Sequence, residues 1–271
     1  MSRRNDEGAG ARGRARRDAR GNGAGRAPGS VAVVLSGGGA RGAYEAGALS
    51  ALIPALEARG ERPTLFVGSS VGAINAAGLA AFWHLGPSAA AEAGLEIWRS
   101  VDKDKVIRPI LSWQVPMTAV RYAGGLLSLP NMRVPSLLDP TPLRENLARW
   151  IDWSRMHRNI REGVLDAVAV VATGTAEGRT VVFAEGAGER VEALRAHRSH
   201  VVSYAAAKLA PEHIRASAAI PIFFPPVHIH SPRSASGWYI DGGTRLNTPL
   251  KPALDLGAER VVVVGMDSAG S

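Results

Sequence analysis

The 271-residue sequence has no cysteine, which excludes disulfide bonds, a thiolate nucleophile and a cysteine-ligated metal site. It also has no stretch of about 20 apolar residues, so no transmembrane helix is predicted. The first 29 residues lack the apolar core of a Sec signal peptide. These absences predict a protein that resides in the cytoplasm or peripherally at a membrane.

Basic charge is concentrated at the start of the chain. The formal net charge is +8, and residues 1–29 contain eight Arg against two Asp and one Glu, so this stretch carries +5 and the rest +3. Because it is rich in Arg, Gly and Ala and has no hydrophobic period, it is predicted to be a disordered tail. Such a tail can bind anionic lipid or nucleic acid, but a solvated tail without a specific nucleic-acid partner is the favoured interpretation.

Residues 30–271 are predicted to form one domain, since 46% of the sequence is hydrophobic. Two short apolar strands, at residues 31–35 and 64–67, are each followed by a glycine-rich turn and a helix, a pattern typical of parallel α/β folds. A mostly helical insert is predicted over residues 86–165, which hold four of the six Trp. Within it, residues 107–138 are apolar with few charges. Contact with lipid and packing as a helical cap are equally favoured roles for them.

The first chemical motif is Gly68–Gly72, which reads G-x-S-x-G with Ser70 at its centre. Alone, a motif of this length occurs often by chance. Here it lies between an apolar strand and an apolar helix, where a serine nucleophile on a sharp turn must lie. Gly68 and Gly72 are expected to permit the close backbone approach that such a turn requires. This context makes Ser70 the candidate nucleophile.

A second motif, Gly37–Gly42, directly follows the first strand. Consecutive glycines let N–H groups converge on one point, where they can bind a phosphate or the oxyanion of a tetrahedral intermediate. The same residues match the G-x-G-x-x-G fingerprint of Rossmann-like nucleotide-binding domains, which is the rival interpretation. That fingerprint requires an acidic residue at the end of the next strand, whereas Glu57 and Glu61 both precede that strand. An oxyanion hole is therefore the favoured role.

A third motif, Asp241-Gly242-Gly243, ends a short predicted strand. In isolation, Asp-Gly is more typical of a turn in which the Asp bonds its own backbone. None of the seven His follows Asp241, so Asp241 does not fit the Ser–acid–His order of α/β-hydrolases. A Ser-His-Asp esterase that uses Asp166 with His228 or His230 remains an alternative, although these His lie in no recognisable motif.

Taken together, the three motifs resemble the patatin-like phospholipase family in their order and spacing. The resemblance covers residues 31–264, essentially all of the predicted domain. Three further segments are similar to the family, namely Asp139–Arg144, Ala216–Pro221 with Phe224-Pro225, and Asn247–Pro249.

The resemblance implies a three-layer α/β/α domain with a mostly parallel central sheet and a helical insert. It implies a Ser–Asp dyad, with Ser70 as nucleophile and Asp241 as base. The implied oxyanion-hole amides are those of Gly37, Gly38 and Gly39. Supporting positions in the implied site are Arg41, Gly42, Gly68, Gly72, Gly242 and Gly243.

The implied reaction is the cleavage of acyl esters of phospholipids or related lipids, of the phospholipase A or lysophospholipase type. The resemblance implies neither a metal nor an organic cofactor. The expected partner is the lipid substrate itself, with peripheral contact to a membrane.

Overall fold

The computed structural model describes residues 30–100, 108–109, 138–186, 191, 194 and 202–266. The predicted tail, residues 1–29, lies outside the described residues. So does the candidate lipid-contact segment, residues 107–138, apart from the backbone at 108–109 and 138. The helices are α1 (Gly42–Ala58), α2 (Val71–Phe82), α3 (Pro87–Ser100), α4 (Thr141–Trp150), α5 (Trp153–Arg161), α6 (Pro211–Ser217) and α7 (Leu250–Asp255).

In the described residues, ten strands form two sheets. They are β1 (Val31–Leu35), β2 (Pro63–Ser69), β3 (Arg108–Pro109), β4 (Leu138–Asp139), β5 (Ala167–Gly174), β6 (Thr180–Gly186), β7 (Val202–Ala206), β8 (Val227–Ile229), β9 (Gly237–Asp241) and β10 (Arg260–Val264). The main sheet has the order β10-β1-β2-β5-β6-β7, with β9 on β5 and β8 on β9. Strands β10, β1, β2 and β5 are parallel to one another, and β6 is antiparallel to β5. The predicted α/β fold with a mostly parallel sheet is confirmed.

The sheet is covered on both faces, which is why its central strands are continuously apolar. Alternate residues of β1 enter different cores: Val33 and Leu35 pack in one cluster, whereas Ala32 and Val34 pack in the other. The first cluster includes side chains of α1, α2 and α5, and the second includes Ala253 of α7. The result is the three-layer arrangement of helices, sheet and helices.

Strands β2 and β9 meet nearly end to end along one side of β5. Strand β2 runs parallel to β5 and its last residue, Ser69, pairs with Val171. Strand β9 runs antiparallel to β5, and its last residue, Asp241, pairs with Ala172. Because the two strands approach from opposite directions and stop one register position apart, Ser70 and Asp241 are brought together.

Candidate active site

Ser70 lies on a sharp turn between β2 and α2. It is the N-cap of α2 with φ 54° and ψ −125°, a strained conformation for a residue with a side chain. The turn depends on two glycines. A Cβ on Gly68 would lie 2.3 Å from the Gly72 carbonyl oxygen, and a Cβ on Gly72 would lie 2.3 Å from the Leu35 carbonyl oxygen. The chain therefore folds so tightly here that only glycine fits at these two positions.

The Ser70 hydroxyl donates directly to the carboxylate of Asp241. The distance between Ser70 Oγ and Asp241 Oδ2 is 2.6 Å. Both residues are buried, with 5% of Ser70 and 4% of Asp241 exposed. Burial raises the pKa of Asp241, while the hydrogen bonds from Ser70 and from the Gly243 backbone oppose the rise. A carboxylate with a raised pKa is better suited to accept a hydroxyl proton than a free Asp.

Both carboxylate oxygens of Asp241 are fixed. Its Oδ1 accepts from the Gly243 N–H at 2.6 Å, and its own N–H donates to the Ala219 carbonyl at 2.9 Å. The turn that follows is tight, because a Cβ on Gly242 would lie 2.2 Å from the Val171 carbonyl oxygen. Asp241 is thus oriented toward Ser70 with little freedom to rotate away.

The glycine loop packs against the nucleophile, but its three amides are not equivalent. A Cβ on Gly37 would lie 3.1 Å from Ser70 Cβ, so the loop starts in contact with that serine. The Gly37 N–H already donates to the Asn247 carbonyl at 3.2 Å, which differs from the predicted use of this amide in an oxyanion hole. Among the described residues, the Gly38 and Gly39 N–H groups have no hydrogen-bond partner.

Arg41 and Gly42 hold this loop in place. The Arg41 guanidinium donates to the Met266 carbonyl at 2.5 Å and to the Gly38 carbonyl at 3.4 Å. Gly42 begins α1, and a Cβ there would lie 2.3 Å from Val71. Arg41 therefore orients the peptide groups that follow Gly37, and its side chain remains exposed to solvent.

Two residues contribute to the site without having been assigned a role from the sequence. The Ser217 hydroxyl accepts from the Ser70 N–H at 2.9 Å, which ties α6 to the nucleophile turn. Asn247 lies between the other two motifs, because its side-chain oxygen would meet a Cβ on Gly37 at 2.4 Å and one on Gly243 at 2.8 Å. Both fall in segments that resemble the family, and that is the signal by which they could have been found.

A buried polar chain lies behind the glycine loop. Asn75 donates to Glu45 Oε2 at 2.7 Å and to the Gly42 carbonyl at 3.1 Å, and it accepts from the Trp98 indole at 2.6 Å. Glu45 is fully buried, and its Oε1 has no partner among the described residues. Burial raises the pKa of Glu45 to about 8, which the hydrogen bonds from Asn75 and the Ser36 backbone partly oppose. Glu45 is therefore mostly neutral at pH 7.

The Ser-His-Asp alternative does not fit this geometry. Asp166 accepts from the Thr64 hydroxyl at 2.6 Å. Thr64 is near the start of β2, about 20 Å of extended chain from Ser70 at its far end. Among the described histidines, none has a hydrogen bond to Ser70 or Asp241; these are His84, His157, His213, His228 and His230.

The fold and this arrangement define an α/β protein with a buried Ser–Asp pair beside a glycine loop. The sequence matches the model of the family described as patatin-like phospholipase over residues 33–254. The chain therefore belongs to the patatin-like phospholipase family. The description of the family as phospholipases supports a lipid acyl hydrolase function.

Solved structures similar to this chain include the following two. VipD from Legionella pneumophila is 17% identical, with a TM-score of 0.47, over 87% of this chain and 49% of VipD. A chain from the complex of full-length SpcU with full-length ExoU, from the type III secretion system of Pseudomonas aeruginosa, is 22% identical. Its TM-score is 0.27, over 59% of this chain and 35% of that one. This chain thus spans half or less of either neighbour. No curated protein sequence matches it.

Two further features concern the described residues alone. No helix in these parts of the chain is both long and apolar enough to cross a membrane. The same residues hold no group of three or more His, Asp or Glu that could bind a metal ion.

Proposed function

We propose that this protein is a serine lipid acyl hydrolase in which Ser70 is the nucleophile and Asp241 the general base. The observation that carries the proposal is the 2.6 Å hydrogen bond from Ser70 Oγ to the buried Asp241 carboxylate. A nucleophile bonded directly to its base, on a strained turn at a helix N-terminus, is the arrangement that acyl transfer requires.

In the proposed reaction, Ser70 Oγ attacks the ester carbonyl while its proton passes to Asp241. The tetrahedral oxyanion accepts hydrogen bonds from the Gly38 and Gly39 N–H groups, assisted by the positive end of α2. Asp241 then returns the proton to the leaving alcohol, and an acyl-Ser70 ester forms. Water, deprotonated by Asp241 in the same way, hydrolyses this ester and restores the hydroxyl.

The proposed substrates are acyl esters of phospholipids or related lipids, with phospholipase A or lysophospholipase activity. Family membership supports the lipid class. Each step uses only groups of this chain: the hydroxyl, the carboxylate and backbone amides. The proposed catalytic domain is residues 30–271, with peripheral rather than transmembrane contact to its substrate.

Covalent labelling with a fluorophosphonate tests the nucleophile. We expect labelling of the wild-type protein, none of Ser70→Ala, and strongly reduced labelling of Asp241→Asn with the fold retained by circular dichroism. A series of single His→Ala variants tests whether any histidine is required. His213 is left out because it is buried, and each of the other variants should retain ester hydrolysis. Labelling that survives Ser70→Ala would show that the site is elsewhere.

A further inference from the structure

A short apolar loop, residues 220–226, leaves the core beside Asp241 and returns to the same place. At its start, the Ala219 carbonyl accepts from the Asp241 N–H at 2.9 Å. At its end, Val227 pairs with Tyr239, two residues before Asp241 on β9. Both ends of this apolar loop are therefore held by β9, within two residues of the proposed base.

The tip of the apolar loop presents large hydrophobic side chains to solvent. Ile222 is 67% exposed and Phe223 is 47% exposed. The loop is nonetheless well anchored, because Phe224 packs against the core and its N–H donates to the Ile220 carbonyl at 2.9 Å. The two exposed side chains therefore project from a turn that is closed by a hydrogen bond, not from an extended segment.

Ile222 also has an unfavourable backbone conformation. Its φ is +74°, and a β-branched residue in this region is an outlier because its Cβ crowds the backbone. Glycine, which has no Cβ, adopts such a positive φ without this strain. Both the strain and the exposure would be removed by glycine. An isoleucine at this position therefore indicates that its side chain serves a purpose other than stability.

Two exposed cations lie close to the same site. Arg41 follows the glycine loop, and the Arg245 N–H donates to the Gly242 carbonyl at 3.1 Å in the turn after Asp241. Neither guanidinium forms an ion pair with a described residue. Exposed apolar side chains, together with cations that have no acidic partner among the described residues, are the surface chemistry that suits an interface of acyl chains and anionic headgroups.

We infer that the apolar loop docks on a lipid surface, with Ile222 and Phe223 entering the acyl region and Arg41 and Arg245 facing the headgroups. This inference rests on the proposed lipid acyl hydrolase function. It assigns surface contact to residues next to the dyad and separate from residues 107–138.

The test measures vesicle binding without turnover. Ser70→Ala protein is mixed with vesicles of equal parts phosphatidylcholine and phosphatidylglycerol, and the bound fraction is measured by flotation. In this background, Ile222→Gly and Phe223→Ser should each weaken binding about tenfold, the value expected when one large apolar side chain no longer leaves water. Leu85→Ser is the matched control, because Leu85 is 53% exposed but follows α2, about 18 Å of helix from Ser70.

Ile222→Gly separates a docking role from a structural one. Because glycine accepts the positive φ, this variant should be at least as thermally stable as the parent while binding vesicles more weakly. With Ser70 intact, it should retain hydrolysis of a monomeric short-chain ester but hydrolyse vesicle lipid about tenfold more slowly at low vesicle concentration, in proportion to the weaker binding.

Three results would overturn the inference. One is vesicle binding by Ile222→Gly and Phe223→Ser that equals that of Leu85→Ser. Another is an equal loss of monomeric and vesicle hydrolysis, which would place the loop in a single-molecule acyl site. The last is a change from dimer to monomer in Ile222→Gly, which would make a second copy the occupant. If the protein with Ser70 intact hydrolysed no ester at all, the proposed function would be refuted instead. The vesicle-binding result would then stand separately.

Discussion

The buried Glu45 makes a quantitative prediction about stability. Its pKa is raised from an ordinary 4.5 to about 8, first by desolvation. Between these two values the unfolded chain has released the proton and the folded protein still holds it. Stability then falls as pH rises, by about 1.4 kcal/mol for each pH unit. The expected cost is about 3 kcal/mol at pH 7 and about 5 kcal/mol above pH 8.

Glu45→Gln removes this titration while keeping the shape of the protonated side chain. The amide oxygen can accept from Asn75, as Glu45 Oε2 does, and the amide nitrogen takes the place of the unpartnered Oε1. That unpaired donor adds a penalty of about 1–3 kcal/mol that does not depend on pH. The slope with pH, rather than the offset, is therefore the informative quantity.

Urea unfolding of both proteins at unit intervals from pH 5 to pH 9 measures this slope. The difference in free energy of unfolding, variant minus wild type, should rise with pH and level off above about pH 8. Taking the difference removes the contributions of other titrating groups. Glu162→Gln, at the exposed C-cap of α5, is the matched surface control for the same chemical substitution. A difference that stays constant with pH would refute the assignment of a neutral, buried Glu45.

Three further predictions concern the surroundings of the dyad. Gly72→Ala should abolish activity or folding, because its Cβ would lie 2.3 Å from a backbone oxygen, whereas Gly78→Ala in the same helix meets open space and should raise stability by up to about 1 kcal/mol; thermal scans of both compare them directly. Ser217→Ala should lower kcat more than it changes KM, since it removes the acceptor of the Ser70 N–H; an unchanged kcat would contradict a positioning role. Burial lowers the pKa of His213, so the free energy of unfolding of the wild type should fall as pH drops below about 6.5, whereas that of His213→Gln should lack this fall. Urea unfolding that gives the same difference between the two proteins at pH 5 and pH 7 would contradict this prediction.

The sequence predicted the local elements of this fold well because their signals are local. The β-branched run at Val31–Leu35 forms β1 with unchanged bounds. Helix α2 begins at Val71, inside the Gly68–Gly72 motif, because Ser70 itself is the N-cap. The residues of a tight turn and the start of its helix overlap, and apolar periodicity alone does not separate them.

The joint placement of Ser70 and Asp241 could not be derived from either motif alone. It depends on the register of β2 and β9 along β5. Ser70 and Asp241, which follow or end these two strands, are 171 residues apart in the chain. The sequence also could not show that the Gly37 N–H is already hydrogen-bonded, since its partner is the Asn247 carbonyl, 210 positions further along the chain. Family resemblance supplied the first pairing because it carries the three motifs together, but it did not resolve which amides are free.

The end-to-end meeting of β2 and β9 supports the proposal that Asp241 acts without a histidine. In a triad, an imidazole ring lies between the hydroxyl and the carboxylate and separates them by its own width. Here the two strands end one register position apart on β5, and the oxygen atoms are 2.6 Å from each other. This spacing leaves no room for a ring between the two oxygen atoms, which supports the proposal that the carboxylate itself is the base for Ser70. The burial that raises the pKa of Asp241 also favours its accepting a proton.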